Sequence, residues 1–249
     1  MRVESKGAAA GTGFSGALFD IFFPPMCPLC EKALKADGLA LCRACAGAFS
    51  AQLIHAPLCK VCGVPFTSGA GPDHTCGKCL EKPPPFSLAR SVYVYGGEVA
   101  GAIHDFKYRG RAALAPAFAA AMAREAGSSF PAPQIIVPVP LHRGRLKKRG
   151  FNQSLLLARR IAAALSVPLD YGSLVRSFPT RPQVELKPKE RLGNVAGAFS
   201  LKSPGAFKNK EVLLVDDVLT TGATVRECSK VLKKAGASGV SVLTIARVI

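Results

Sequence analysis

Residues 211–227 read EVLLVDDVLTTGATVRE, and this run limits the folds open to the chain more than any other. Four consecutive apolar side chains, Val212 to Val215, describe a strand buried on both faces, as in a parallel sheet. Two carboxylates follow, Asp216 and Asp217. A short loop comes next, Val218 to Ala223, and a helical pattern then runs to Lys234 with Gly236 as its stop. Such a strand–loop–helix makes an anion cradle. Loop N–H groups converge on one spot, and the helix N-terminus adds about half a positive charge. Gly222 lets the backbone approach a ligand closely. Thr220, Thr221 and Thr224 offer hydroxyls, so a phosphate monoester fits. The two acids sit at the carboxyl end of the strand, where open α/β sheets bind ligands. They suit the paired hydroxyls of a sugar, or a magnesium ion held beside them. The run lacks the GxxxxGK[ST] of a Walker loop.

A second pattern lies upstream. Eight of the nine cysteines form four CxxC pairs: Cys27/Cys30, Cys42/Cys45, Cys59/Cys62 and Cys76/Cys79. Each pair makes a knuckle whose N–H groups stabilise two thiolates, and two knuckles complete a tetrahedral S₄ zinc site. Two structural zinc ions are therefore expected. Sequential grouping of the pairs is simplest, with an interleaved grouping as the alternative. Disulfides and an iron–sulfur cluster are the rival chemistries. His55 and His74 read as surface residues, and Cys228 as a small buried apolar side chain. Glycines at 7, 11, 13 and 16 break any export-signal core, so a reducing cytoplasmic location is expected. No stretch is long and apolar enough to span a bilayer.

Between and after these patterns, residues 1–18 read as a flexible tail, 19–85 as a double zinc ribbon and 86–249 as an α/β domain. Within 14–23 a short apolar segment reads as a small helix packed on the ribbon, and Pro83 to Pro85 reads as a stiff linker. Strands are expected at Ser91–Tyr95, Gln134–Pro140, within Ser166–Val175, and at Gly239–Val248. Helices are expected at Val99–Phe106, Leu114–Ala126 and Asn152–Leu165. This alternation describes a parallel sheet flanked by helices.

The net charge of +17 is uneven. Residues 1–85 hold 8 of the 33 Lys/Arg and 6 of the 16 Asp/Glu, so the excess lies in the α/β part. A basic surface there favours polyanions: sugar pyrophosphates, pyrophosphate itself or nucleic acid. The densest run is a predicted loop carrying Arg143, Arg145, Lys147, Lys148 and Arg149 between a strand and a helix, a second anion site. Lys107, Arg109 and Arg111 flank Tyr108 in HDFKYRGR, which reads equally as a phosphate contact or a solvated helix end. Residues 176–199 form a polar, Pro-rich excursion. It reads as a lid carrying Arg181, Lys187, Lys189 and Arg191, or as a disordered insertion.

VLLVDDVLTTGAT resembles the phosphoribosyl-pyrophosphate (PRPP) loop of type I phosphoribosyltransferases. The four CxxC pairs, FKYRGR, VPVPLHRGRLKKRGFNQS, RPQVEL with ERLGNVAGAF, and this loop together resemble the ComF family, over nearly the whole chain from Phe19. The resemblance implies a type I phosphoribosyltransferase-like sheet behind an N-terminal zinc-ribbon module with four cysteines per metal. It implies PRPP with its 5′-phosphate at Val218 to Thr224, its ribose at Asp216 and Asp217, and its pyrophosphate at residues 143–149 with magnesium. It also implies a link to competence and uptake of transforming DNA. Purine-salvage enzymes carry a third acid within the loop. Thr220 stands there in this chain, so purine salvage is not expected. No glutaminase segment is read before the transferase, so glutamine-fed ammonia transfer is not expected. Two functions remain: phosphoribosyl transfer to an unidentified acceptor, or a non-catalytic single-stranded-DNA-binding or adaptor role in which the pocket senses PRPP or is a relic.

Overall fold

The computed structural model describes residues 25–34, 40–69, 71–178 and 195–249. The amino-terminal tail, the segment at 14–23 and the lid residues Arg181, Lys187, Lys189 and Arg191 lie outside the described residues. In the ribbon, α1 is Arg43–Ser50 and α2 is Gly77–Glu81. The α/β part runs β1 (Leu88–Val94), α3 (Gly97–Tyr108), α4 (Ala115–Ser129), β2 (Ile135–Pro138), α5 (Arg143–Arg149), α6 (Gln153–Leu165), β3 (Leu174–Arg176), β4 (Phe199–Leu201), β5 (Glu211–Leu219), α7 (Ala223–Lys234) and β6 (Gly239–Arg247).

Four strands form one parallel sheet in the order β1-β6-β5-β2. Its centre is apolar because parallel strands are covered on both faces; every residue of β6 is buried. One face packs Leu213, Val215 and Leu243 against Ile103, Phe106, Phe118, Leu157 and Ile161 from α3, α4 and α6. The other packs Val212, Leu214 and Val242 against Val225, Cys228 and Leu232 of α7, with Phe86, Phe199 and Phe207. Each fully buried Phe or Leu contributes about 2 kcal/mol by burial alone. Cys228 is fully buried in this layer, as its sequence reading implied.

Three departures from the expected elements bear on the site. First, β5 does not stop before the acids but continues to Leu219, because β6 keeps pairing it: Asp216 lies opposite Thr244 and Leu219 opposite Arg247. On the other side β2 ends at Pro138, opposite Val215. The Val139 amide still donates to Val215 O (2.9 Å), and β2 gives β5 no paired residue beyond Pro138, so the edge of β5 is released where the acids begin.

Second, the basic run is a helix, not a loop. His142 caps it by accepting from the Gly144 amide on Nδ1 (3.2 Å), and Gly150, at φ +79°, ends it in the left-handed region. Third, Ser166–Val175 adds only a single parallel bridge to the edge of the main sheet, Leu169 beside Ile136, with the Ile136 amide donating to Pro168 O and the Asp170 amide to Ile136 O. Asp170 accepts hydrogen bonds from the Gly172 and Ser173 amides and turns the chain. Leu174–Arg176 then forms β3, pairing antiparallel with β4.

The ribbon is built onto the sheet rather than hung from a spacer. Phe49 is buried with Tyr93 and Phe118, at ring-centroid distances of 5.5 and 5.8 Å. Residues 52–54 run beside β1, with the Ile54 amide donating to Val92 O and the Val94 amide to Gln52 O. Gly63, at φ +68°, lies against the Ala89 carbonyl where a Cβ would collide. Arg247, buried at the end of β6, donates to Cys62 O, and Arg90 to Cys59 O. Arg111 donates to Pro28 O and Leu29 O and pairs with Asp105 and Glu31.

Candidate functional site

The cysteines assemble into two groups: Cys27, Cys30, Cys42, Cys45 and Cys59, Cys62, Cys76, Cys79. This is the sequential grouping. Within each, all four Sγ atoms lie within 4.8 Å of one another. Cys30–Cys42 and Cys62–Cys76 Sγ separations are 3.6 and 3.8 Å. A ZnS₄ tetrahedron with Zn–S near 2.3 Å has an edge of about 3.8 Å, so both groups fit zinc. No described cysteine is in a disulfide. Backbone N–H groups aim at the sulfurs: Cys62 and Cys76 amides donate to Cys59 Sγ, and the Cys42 amide to Cys27 Sγ. Burial alone would raise the Cys27 and Cys59 thiols, but these amides overcome it and bring both down to about 6. Burial and neighbouring sulfurs push Cys45 and Cys79 strongly up. Four thiolates cannot coexist there without a cation, and the two closed S₄ sets fit two structural zinc ions. His74 is stacked on Phe66 at 3.7 Å between ring centroids and is not a ligand in either group.

A cavity of about 940 Å³ opens at the carboxyl ends of β5 and β2. Asp216 and Asp217 line it. Ser154, in the first turn of α6, donates to Asp216 Oδ1 (3.0 Å), as does the Asp217 amide (2.9 Å). Asn152 sets that turn: Oδ1 accepts from the Ser154 and Leu155 amides, while Nδ2 donates to Val139 O. Burial pushes the Asp216 carboxyl up to about 7, and the charge of Asp217 adds to the push; the Asp217 amide, Lys107 and Ser154 oppose it. Asp217 is paired with Lys107 at 2.8 Å.

The end of β5, the turn after it and the start of α7 also line this cavity, through Val218, Leu219, Thr220, Gly222, Ala223 and Thr224. Gly222 has φ +75° and precedes the first turn of α7, so its lack of a Cβ is required there. Thr221 is not in the lining; its hydroxyl accepts from the Ala223 amide at 3.4 Å. Leu219 turns its side chain into the core.

Helical winding divides the basic run. Arg145, Lys148 and Arg149, spaced i, i+3, i+4, line the cavity, whereas Arg143 and Lys147 are not in its lining. Arg149 reaches Tyr108 twice, with its guanidinium 4.8 Å from the ring centroid and Nη2 3.2 Å from the hydroxyl, and it donates to Gln153 Oε1.

Of the HDFKYRGR residues, Lys107, Tyr108 and Gly110 line the cavity, while Arg109 and Arg111 pair with Asp105. Tyr95, Arg176 and Val248 also line it and were not singled out in the sequence. Arg176 lies half-buried at the end of β3, with its guanidinium 5.3 Å from the Phe199 ring centroid. Its one legible signal was a charge closing a strand at the start of the long excursion. Tyr95 and Val248 follow β1 and β6, and strand-end position marks them only once the sheet order is known.

Two family models match the chain: a double zinc ribbon domain over residues 18–80 and a phosphoribosyl transferase domain over 152–248. The chain is 34% identical over 229 residues to DNA utilization protein YhgH of Salmonella typhi, covering 90% of this chain and 97% of that protein. It is 32% identical over 232 residues to Competence protein F of Haemophilus influenzae, covering 91% and 98%. The chain belongs to the ComF family. Among solved structures, a purine phosphoribosyltransferase from Pyrococcus horikoshii Ot3 is 21% identical and covers 53% of this chain and 71% of its own, at a TM-score of 0.35. The chain pairs zinc knuckles with a phosphoribosyltransferase-type sheet, and Asp216, Asp217 and the Gly222 loop fall inside the matched transferase span. Among the described residues, no helix is long and apolar enough to cross a membrane.

Proposed function

We propose that the cavity binds PRPP and that the protein transfers its phosphoribosyl group to an acceptor, releasing pyrophosphate, in the handling of DNA taken up during competence. One observation carries this reading: the Asp216–Asp217 pair, the Gly222 loop and one face of the basic helix α5 all open onto the same space. The 5′-phosphate sits on the amides and hydroxyls of residues 218–224, at the N-terminus of α7. The ribose hydroxyls donate to Asp216 and Asp217. The pyrophosphate faces Arg145, Lys148 and Arg149. Asp216 and Asp217 are hard oxygen donors and fit a magnesium ion held mainly by the ligand's oxygens. That ion, when bound, neutralises charge on the leaving pyrophosphate.

As the bond from C1 to pyrophosphate breaks, positive charge develops on the ribose and negative charge on the leaving group. The acids lie on the ribose side and the cations of α5 on the leaving-group side, so the chain's contribution is positioning and electrostatic stabilisation. Arg181, Lys187, Lys189 and Arg191 complete the proposal as a lid that excludes water from the ribosyl cation. The cytoplasm, where PRPP is made and thiolates stay reduced, is the location this chemistry needs.

A second reading is favoured by one feature: α5 has no buried residue and carries five cations. In that reading the basic face binds single-stranded DNA or an uptake protein, and the pocket senses PRPP without turnover. Two measurements separate the readings. Calorimetry with magnesium and PRPP should show binding, and a screen of acceptors should show pyrophosphate release that Asp216→Asn with Asp217→Asn abolishes. Absence of PRPP binding removes the first reading. A DNA affinity that does not fall steeply with salt removes the second.

A further inference from the structure

The Lys107 ammonium lies 2.8 Å from Asp217 Oδ1, and both side chains are largely shielded, at 18% and 15% exposure. Both line the cavity. Lys107 comes from the last turn of α3, in a stretch that neither family model covers, so it is added to the site from outside the matched transferase span. Its backbone is held in place: Lys107 O accepts from Gln153 Nε2, and Gln153 is itself buried and bonded to Arg149. The stem of Lys107 therefore starts from a fixed point beside both the acids and α5. A lysine carries three N–H donors. Asp217 is its one ion-pair partner among the described residues.

The carboxylate that Lys107 engages is the same one a sugar diol would need. Resting on the PRPP reading above, we propose that Lys107 changes partner on binding: the ribose hydroxyls replace it on Asp217, and the released ammonium holds an anionic oxygen of the group on C1. The ion pair thus offsets the charge of Asp217 while the site is empty, and the same cation reads whether the sugar carries pyrophosphate. Lys107 becomes the contact that separates PRPP from ribose 5-phosphate. A lysine that merely neutralises the acids would treat both ligands alike.

The test is calorimetry of the full zinc-loaded chain at pH 8 with magnesium, using PRPP and ribose 5-phosphate as separate titrants. Lys107→Met should weaken PRPP about 10- to 100-fold, the worth of one charge-assisted hydrogen bond, and change ribose 5-phosphate less than about 3-fold. Lys107→Arg, which keeps the charge, should recover PRPP to within about 5-fold of wild type. Equal losses for the two ligands, or unchanged PRPP affinity in Lys107→Met, would overturn the proposal while leaving the PRPP site standing. Wild-type protein that binds neither ligand would overturn both. If Lys107→Met does not melt cooperatively, Lys107→Gln, which can still donate to Asp217, is judged by the same split.

Discussion

The zinc knuckles and the cavity face one physical problem and solve it in opposite ways. Each gathers groups that repel when ionised: four thiolates in a knuckle pair, two adjacent carboxylates at the end of β5. In the knuckles every Sγ turns inward, within 4.8 Å of its fellows, and amides close the shell. The cation they require is permanent. At the cavity the acids face open space, and Lys107 offsets one of them, Asp217, for the time being. A closed cluster is architecture, while an open one with a replaceable counter-ion is a site. The two are also joined, because Arg247 ties a knuckle carbonyl to the strand whose next residue, Val248, lines the cavity.

If that contrast holds, breaking a knuckle should have the largest effect on stability. Cys59→Ser should drop zinc content from two to one per chain and lower the melting temperature by about 10 °C or more, since metal-binding energy here is folding energy. Metal analysis and a thermal melt check it. An unchanged melt would mean the closed cluster is not architecture.

The acids should behave in the reverse sense. Asp216 has a folded pKa raised to about 7 from an ordinary value of 3.8. Its contribution therefore favours folding at low pH and is lost as pH rises from about 4 to 7. Asp216→Asn should be more stable than wild type at pH 8 by a few kcal/mol, with the advantage shrinking toward pH 5. Urea denaturation at the two pH values reads this. Ligand binding should show the opposite slope. PRPP affinity should fall as pH drops below about 7, by at most tenfold per unit, because the diol needs an ionised Asp216. The smallest effect belongs to the junction. Arg247→Met should cost about 2 kcal/mol of stability, a charge-assisted hydrogen bond to a buried carbonyl, with both zinc ions retained.

What the sequence disclosed follows the same division. The knuckles were legible because ligand spacing is local: CxxC puts two sulfurs on one turn whatever the rest of the chain does. The acids and the Gly222 loop were legible for the same reason, being contiguous between a strand and a helix. The walls of the cavity were not. Tyr95, Arg176 and Val248 arrive from the ends of β1, β3 and β6 and meet only in the folded chain, while Lys107 was read from the sequence only as a choice between a phosphate contact and a solvated helix end. The basic run shows the intermediate case. Its charge was visible, but composition alone read it as a loop. Winding it into α5 is what selects Arg145, Lys148 and Arg149 for the cavity and leaves Arg143 and Lys147 out of its lining.

The most direct test is a crystal structure of the full chain grown with PRPP and magnesium. The account predicts ligand density with the 5′-phosphate at residues 218–224, the ribose hydroxyls on Asp216 and Asp217, and the pyrophosphate toward Arg145, Lys148 and Arg149. Density for PRPP elsewhere on the protein, or an ordered ligand whose ribose avoids both aspartates, would contradict it.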